Sequence, residues 1–262
     1  MRLTDTHCHL DFEQFDKDRE QVIDKAIDVG VERILVPGID LVSSEAAVRL
    51  ADENAEVYAA VGVHPNYGKT WNSNTLKTLK ALSQHPKVIA IGEIGLDYYR
   101  EWTPHNIQKR NFEYQLDLAA ELQRPVIIHC RDSFQEIQDM VSDWAKGLSE
   151  NALSDSPGIL HSFSGNIEQA RLFTDMNFFF GISGPVTFKN AENLRQTVAQ
   201  LPLDRILIET DAPYLTPHPH RGKRNEPAYV HYISEKIAEV RNLSPSQIGE
   251  ITFENSLNIF TW

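Results

Sequence analysis

Eight short runs of β-branched and aliphatic residues alternate with longer segments of helical pattern along this 262-residue chain. Most of the runs are continuously apolar, as expected for parallel strands that are covered on both faces. Strand–helix alternation implies βαβ units with right-handed crossovers, and eight such units point to a closed barrel. The sequence therefore predicts the α/β class and a (β/α)8 TIM barrel, with an additional C-terminal helix at residues 245–259. The predicted strands are residues 3–7, 33–37, 57–63, 88–93, 125–129, 158–161, 178–182 and 205–209.

The chain is expected to form one domain over residues 1–262. Its length is near that of a single barrel of this type, and no Ser-, Gly- or Pro-rich linker divides it. The N-terminus has no basic segment followed by an apolar one, and no apolar run approaches the roughly 18 residues needed to span a bilayer. Two cysteines suggest no disulfide framework. A cytoplasmic location without membrane association is the expectation.

The charge balance restricts how the chain could bind nucleic acid. It has 25 Lys and Arg against 37 Asp and Glu, a formal net charge of -12. Broad wrapping of duplex DNA needs many basic residues on phosphates, so that mode of binding is disfavoured. A local basic cleft with a small footprint remains compatible with the composition.

Histidines and acids follow the predicted strands where each strand ends. In a (β/α)8 barrel these ends and their loops form the active-site face, so residues distant in sequence converge there. His7 and His9 are two positions apart, so both side chains point the same way if the strand stays extended. Cys8 and Cys130 have the opposite parity and are expected to be small buried residues facing the helical layer. The converging candidates are His7, His9, Glu93, His129, His161 and Asp211.

These six residues have the character of a centre for two divalent ions. Imidazole and carboxylate suit Zn²⁺, Mn²⁺ or Fe²⁺, and carboxylates also suit Mg²⁺. One ion is expected at His7, His9 and Asp211, and the other at His129 and His161, with Glu93 bridging both. Three protein ligands for each ion leave open positions, which is typical of a catalytic site. The alternative is a set of hydrogen-bonded core histidines, which is more plausible for a lone pair than for all six residues.

Basic residues near the same face are candidates for binding substrate phosphate. Arg131 follows His129, and the loop after the eighth strand concentrates Arg221, Lys223 and Arg224. His64 binds phosphate, orients another ligand or packs beside Pro65. For the loop, the alternative is a solvated run of charges. The roles of two acidic residues are left open in the same way. Glu209 either supports a ligand or pairs with a Lys or Arg, and Asp97 is expected to cap a loop or support a ligand.

Other catalytic schemes find no support in the sequence. Ser162 lies in H-S-F-S-G rather than in a G-x-S-x-G elbow. There is no Walker A loop, no G-x-G-x-x-G and no C-x-x-C.

Seven motifs spread over the whole chain resemble those of one known family, the TatD-like metal-dependent deoxyribonucleases, within the amidohydrolase-like group. They are D-T-H-C-H-L-D, G-V-H-P, G-E-I-G-L-D-Y-Y, P-V-I-I-H-C-R-D, H-S-F-S-G, E-T-D-A-P-Y-L and H-R-G-K-R-N-E-P. The resemblance implies a TIM barrel with two divalent ions that hydrolyses phosphodiester bonds in DNA. The family's ligands fall on the same six residues, and Glu93 takes the place that a carboxylated lysine fills in other amidohydrolases.

The resulting hypothesis is metal-dependent DNA hydrolysis, with Asp211 and Glu93 as catalytic residues. A hydroxide activated by two ions (Mg, Mn or Zn) attacks phosphorus while Asp211 orients it or accepts its proton. The expected partner is DNA, single-stranded or at strand ends, with no obligate protein partner. Two alternatives stay open: a small-molecule amidohydrolase or lactonase with the same centre, and a barrel that holds metal without turnover.

Overall fold

Eight parallel strands form one sheet in the order β1 to β8, and helices alternate with them in a computed structural model that describes residues 1–149 and 151–262. This is the predicted (β/α)8 TIM barrel. The strands are β1 Leu3–Asp5, β2 Val31–Pro37, β3 Val57–Val61, β4 Val88–Asp97, β5 Val126–Arg131, β6 Gly158–Leu160, β7 Phe179–Ile182 and β8 Ile206–Ile208. The helices are α1 Arg19–Asp28, α2 Leu41–Glu53, α3 Thr75–Leu82, α4 His105–Leu122, α5 Phe134–Lys146, α6 Ile167–Thr174, α7 Glu192–Gln200, α8 Val230–Arg241 and α9 Pro245–Ile259.

Every predicted strand exists, and the largest difference in bounds is in β4. The prediction ended at Glu93, whereas the strand continues through Ile94 and Leu96 to Asp97, with every residue buried. Helix α9 has the predicted bounds. Helix α8 buries Val230, Ile233 and Ile237 at helical spacing.

Contacts divide the chain into two compact units. The first comprises Met1–Val36, Ser162–Arg171 and Phe179–Asn258, and the second comprises Pro37–His161, Leu172–Phe178 and Ile259–Trp262. The prediction of one domain over residues 1–262 stays a prediction.

The first unit contains β1, most of β2, β7 and β8. Strand β1 pairs with β2, and β7 pairs with β8, each in parallel register. The chain just after β1 also runs beside the end of β8, because the Thr6 amide donates to the Ile208 carbonyl. Buried aromatic side chains, including Phe15, Phe180 and Phe253, fill its core.

The second unit contains β3 to β6, paired in sequence order. Its strands bury almost uninterrupted aliphatic runs, such as Val88–Ile91 and Val126–Ile128. Burial on both faces leaves only the strand ends for polar side chains. No helix among residues 1–149 and 151–262 is long and apolar enough to cross a membrane.

Candidate metal centre

A first cluster of ligand side chains, in the first unit, lies where the chain leaves β1 and β8. The Asp211 amide donates to the His7 carbonyl over 2.8 Å, and the His9 amide donates to the Ala212 carbonyl over the same distance. Cys8 forms a parallel bridge with Ala212 between them. This backbone pairing carries the two histidines and Asp211 side by side, although they are about two hundred positions apart in sequence.

The side chains of this first cluster converge on one point. His7 Nε2 and His9 Nε2 are 3.2 Å apart, and Asp211 Oδ1 is 3.8 Å from the first and 3.6 Å from the second. Metal–ligand bonds of about 2.0–2.2 Å separate neighbouring donor atoms by about 3.0–3.5 Å. The three atoms therefore fit a divalent ion with small adjustments, and His7 and His9 face the same way, as their two-residue spacing predicts.

Asp5 is a supporting residue that the sequence did not single out. Its fully buried carboxylate accepts hydrogen bonds from the Thr210 amide at 2.8 Å, the Thr210 hydroxyl at 2.5 Å and the His7 amide at 3.3 Å. Burial raises the pKa of Asp5 to about 8, while the hydrogen bonds from Thr210 and His7 act in the opposite direction. Asp5 thus ties β1 to the loop that carries Asp211.

Glu209 is buried beside the first cluster, where the sequence left its role open. Its Oε1 accepts from the Ser162 amide at 2.6 Å. A Cβ added to Gly181 on β7 would lie 2.2 Å from Glu209 Oε2, so the glycine makes room for this carboxylate. Asp211 itself has a φ of 55°, a left-handed backbone conformation that non-glycine residues rarely adopt. The bend aims its carboxylate back toward the histidines.

A second cluster, in the second unit, contains Glu93, His129, His161 and His64. His129 Nδ1 is 2.8 Å from Glu93 Oε1, while His64 Nε2 and His161 Nε2 lie 3.6 and 3.7 Å from the same oxygen. All four side chains are buried or nearly so. His64, Glu93 and His129 also satisfy the spacing of a metal-binding group. The sequence left His64 either to bind phosphate or to orient another ligand, and the structure puts it beside the expected ligands.

Asp97 contacts His129 on the side of the ring opposite Glu93. Its Oδ2 is 3.2 Å from His129 Nε2 and accepts from Asn66 Nδ2 at 3.0 Å. Burial opposes ionisation of Asp97, but the hydrogen bonds from His129 and the Arg100 amide outweigh it and lower its pKa. Burial also disfavours the His129 imidazolium, yet its bonds to Asp97 and Glu93 raise the pKa of His129 overall. Asp97 therefore contacts an expected ligand, and its other oxygen caps the following loop by accepting from the Tyr99 and Arg100 amides, so both of its expected contacts occur.

The basic candidates have varied surroundings. Arg131 is exposed and stacks on Tyr99 at 3.9 Å. Arg221 is exposed, stacks on Phe188 at 3.8 Å and donates to the Thr216 carbonyl. Lys223 is exposed.

Arg224 differs from the other basic candidates because its guanidinium forms an ion pair with a carboxylate. Its two terminal nitrogens bond both oxygens of Asp18 at 2.8 and 2.7 Å, and Nη1 also donates to the Gln14 carbonyl. This pairing ties the loop after β8 to the start of α1. The sequence could not predict it, since the partners are 206 positions apart.

Comparisons with known proteins agree with this geometry. Residues 4–261 match the family described as TatD related DNase. A Bacillus subtilis protein named an uncharacterized metal-dependent hydrolase, YabD, is 45% identical over 98% of each chain, and a Rahnella protein named 3'-5' ssDNA/RNA exonuclease TatD is 36% identical over 96% of this chain and 95% of its own. The crystal structure of the Escherichia coli TatD homologue YjjV superposes with a TM-score of 0.92 at 29% identity, over 100% of this chain and 98% of that one. The chain thus belongs to the TatD-related DNase family of metal-dependent hydrolases.

Proposed function

We propose that this protein hydrolyses phosphodiester bonds in single-stranded DNA or RNA, removing nucleotides from a strand end with the help of two divalent ions. The observation that carries the proposal is the pair of ligand clusters at the strand ends, each with imidazole nitrogens converging on a carboxylate oxygen. The relatives named 3'-5' ssDNA/RNA exonuclease, at 36% identity over nearly the whole chain, support the choice of substrate. The small footprint expected of a chain with net charge -12 agrees with action at strand ends.

The proposed ligands are those named from the sequence, with one addition. His7, His9 and Asp211 hold one ion, and Glu93, His129 and His161 hold the other, with His64 as a further ligand. Bound Mg²⁺, Mn²⁺ or Zn²⁺ supplies positive charge for the phosphate oxygens and acidifies water. The ligand set does not single out one of these metals.

The roles of the protein's own groups follow from their surroundings. Asp211 keeps 15% of its side chain exposed, so it can accept the proton of the attacking water. Glu93 is 3% exposed and holds the histidines of the second cluster in place. Arg131, Arg221 and Lys223 are exposed cations that can bind phosphates along the strand. Arg224 supports the same loop through Asp18. We place the reaction in the cytoplasm, as expected from the sequence.

The test begins with protein stripped of metal by a chelator and reloaded with Mg²⁺, Mn²⁺ or Zn²⁺. Metal content by mass spectrometry should approach two ions per chain. Single-stranded DNA and RNA labelled at either end should be shortened stepwise from the 3' end, and blunt duplex should be degraded more slowly. Glu93→Gln and Asp211→Asn should each abolish this activity while the protein stays folded by circular dichroism.

Three results would contradict the proposal. Cleavage of lactones or amides but not of oligonucleotides would identify a small-molecule hydrolase. Metal binding without turnover of any substrate would identify a non-catalytic barrel. Unchanged rates in both variants would show that neither cluster takes part in the reaction.

A further inference from the structure

Two large aromatic side chains are exposed in the loop between β4 and α4. Tyr99 keeps 60% of its surface accessible and Trp102 keeps 53%, although burial of such side chains is strongly favourable. An exposed pair of aromatic rings at the active-site face of a (β/α)8 barrel therefore suggests a ligand-binding role.

Each aromatic ring is backed by an arginine. The Arg131 guanidinium lies 3.9 Å from the centre of the Tyr99 ring, and that of Arg100 lies 4.8 Å from the centre of the Trp102 ring. A guanidinium contacts one face of a ring, and the large exposed fraction of both residues leaves surface for a further contact. Aromatic faces with adjacent cations are the combination that binds bases and phosphates of single-stranded nucleic acids.

Hydrogen bonds fix the position of this loop relative to the second cluster. Asp97 Oδ1 accepts hydrogen bonds from the amides of Tyr99 and Arg100 at 3.0 and 2.9 Å, while Oδ2 of the same carboxylate contacts His129. At the other end of the loop, the Thr103 carbonyl accepts from the buried Gln108 side chain at 2.9 Å. Both aromatic residues thus have a fixed backbone position relative to a ligand of the metal centre.

We propose that Tyr99 and Trp102 form a stacking platform for unpaired bases, which holds a single-stranded nucleic acid while its end occupies the metal centre. This inference rests on the proposed function and adds that the protein recognises the unpaired bases of its substrate. A platform of this kind selects unpaired bases, because paired bases do not expose their faces. It is tolerant of sequence, because every base has a π-face.

The charge around the platform is balanced, so stacking should dominate the binding. Arg100 and Arg131 are exposed beside the rings, but Glu101 and Asp132 are exposed next to them in sequence. Two phosphate contacts, one from each of these arginines, contribute about -1.4 to the slope of log affinity against log salt concentration for a single strand. Trp102→Ala should leave this slope unchanged, whereas Arg131→Met should make it shallower by about 0.7.

The decisive experiment measures binding without turnover. Fluorescence anisotropy in EDTA compares a labelled thymidine decamer with an abasic decamer of the same length and charge. Tyr99→Ala and Trp102→Ala should each weaken binding of the thymidine decamer about tenfold and leave binding of the abasic decamer at the wild-type value. Tyr99→Phe should restore the affinity, because the ring without its hydroxyl still stacks.

The matched control is Tyr114→Ala, an exposed aromatic residue on α4 with 41% accessibility. It should bind both decamers as the wild type does. Equal losses on the thymidine and abasic decamers would overturn the platform, because they would indicate a displaced loop rather than lost stacking. So would an unchanged affinity in the Tyr99→Ala, Trp102→Ala double variant.

Failure of the platform is separable from failure of the proposed function. Wild-type protein that shortens oligonucleotides, with the KM of the double variant unchanged, overturns the platform alone. Wild-type protein that binds the thymidine decamer through the platform but cleaves no oligonucleotide with any of the three metals overturns the proposed function alone.

Discussion

The two ligand clusters are built in opposite ways. The first is arranged through its backbone: amide–carbonyl bonds between residues 7–9 and 211–212, and the Asp5 carboxylate that accepts from the His7 and Thr210 amides, fix the positions of His7, His9 and Asp211. The second is arranged by side chains, since His129 lies between Glu93 and Asp97 and contacts one carboxylate with each ring nitrogen. The first cluster has its donor atoms 3.2–3.8 Å apart and facing one point. The second holds an acid–imidazole–acid chain.

This difference predicts different sensitivities to substitution. In a cluster held by backbone, replacing one ligand side chain should lower the affinity for metal, while the positions of the other side chains should not change. A cluster held by a chain of hydrogen bonds should respond to changes outside the ligands, because outer carboxylates orient metal-bound imidazoles. The second cluster should therefore be the more easily disturbed of the two by remote changes.

The largest effect is expected from Asp211→Asn. The amide keeps the shape of the side chain but neither carries negative charge nor accepts a proton, so hydrolysis of single-stranded DNA should fall by about 1,000-fold or more. Single-turnover rates with saturating Mn²⁺ measure it. Asp132→Asn is the matched control, since Asp132 also follows a strand with a φ near that of Asp211, 53° against 55°. A rate within threefold of the wild type for Asp211→Asn would contradict the assignment.

A pair of glycine substitutions compares the two regions directly. Gly95→Ala places a Cβ 2.1 Å from the His129 carbonyl oxygen at a φ of 136°, and the three nearest atoms are all backbone atoms of His129, which cannot move aside as a side chain can. For Gly181→Ala, the three atoms nearest the new Cβ all belong to the carboxylate end of the Glu209 side chain. We expect the free energy of unfolding to fall by about 3 kcal/mol for Gly95→Ala and by about 1–2 kcal/mol for Gly181→Ala. Urea unfolding measures both, and the reverse order would contradict the comparison.

Asp97→Asn isolates the outer carboxylate of the second cluster. The amide removes the charge that orients His129, so the affinity of the second cluster for metal should fall about 10- to 100-fold. Titration calorimetry with Zn²⁺ into metal-free protein should show one weakened site and one unchanged site. Equal weakening of both sites would show that Asp97 acts on the whole fold rather than on His129.

The fold and the residue types that gather in the two clusters could be predicted from the sequence because both depend on local patterns. Apolar runs mark the strands, and His7 and His9 share a face through the two-residue period of an extended chain. The partners of the supporting carboxylates could not be predicted. Asp5 bonds Thr210 across 205 positions, and Asp97 reaches His129 only because β4 runs four residues beyond its predicted end. Such contacts follow from strand register, which no single stretch of sequence contains.

The basic loop after β8 shows the same limit. Composition indicated Arg221, Lys223 and Arg224 as one group of phosphate-binding candidates, yet only the structure separates Arg224 from the others. Both terminal nitrogens of its guanidinium bond the carboxylate of Asp18, which lies just before α1. A charge count cannot distinguish a cation that faces solvent from one that holds two segments together.

The smallest effect is expected from the Asp18–Arg224 pair, which ties this loop to α1 in the unit of the first cluster. The hydrogen bond from Arg224 lowers the pKa of Asp18, so the pair stabilises the fold above the ordinary Asp pKa of about 3.9. That contribution is lost as pH falls through the lowered pKa. Arg224→Met should therefore reduce the free energy of unfolding by less than about 1 kcal/mol at pH 7, because the pair is partly exposed.

The pH dependence of that difference is the sharper part of the test. The gap between wild type and Arg224→Met should stay constant from about pH 7 to 5 and close below about pH 4, where Asp18 takes up a proton. Urea unfolding at each pH measures it, and Lys223→Met serves as the control for removing a positive charge from the same loop. A gap that widened in acid, or one shared equally by Lys223→Met, would show that general charge rather than the Asp18 contact holds this loop in place.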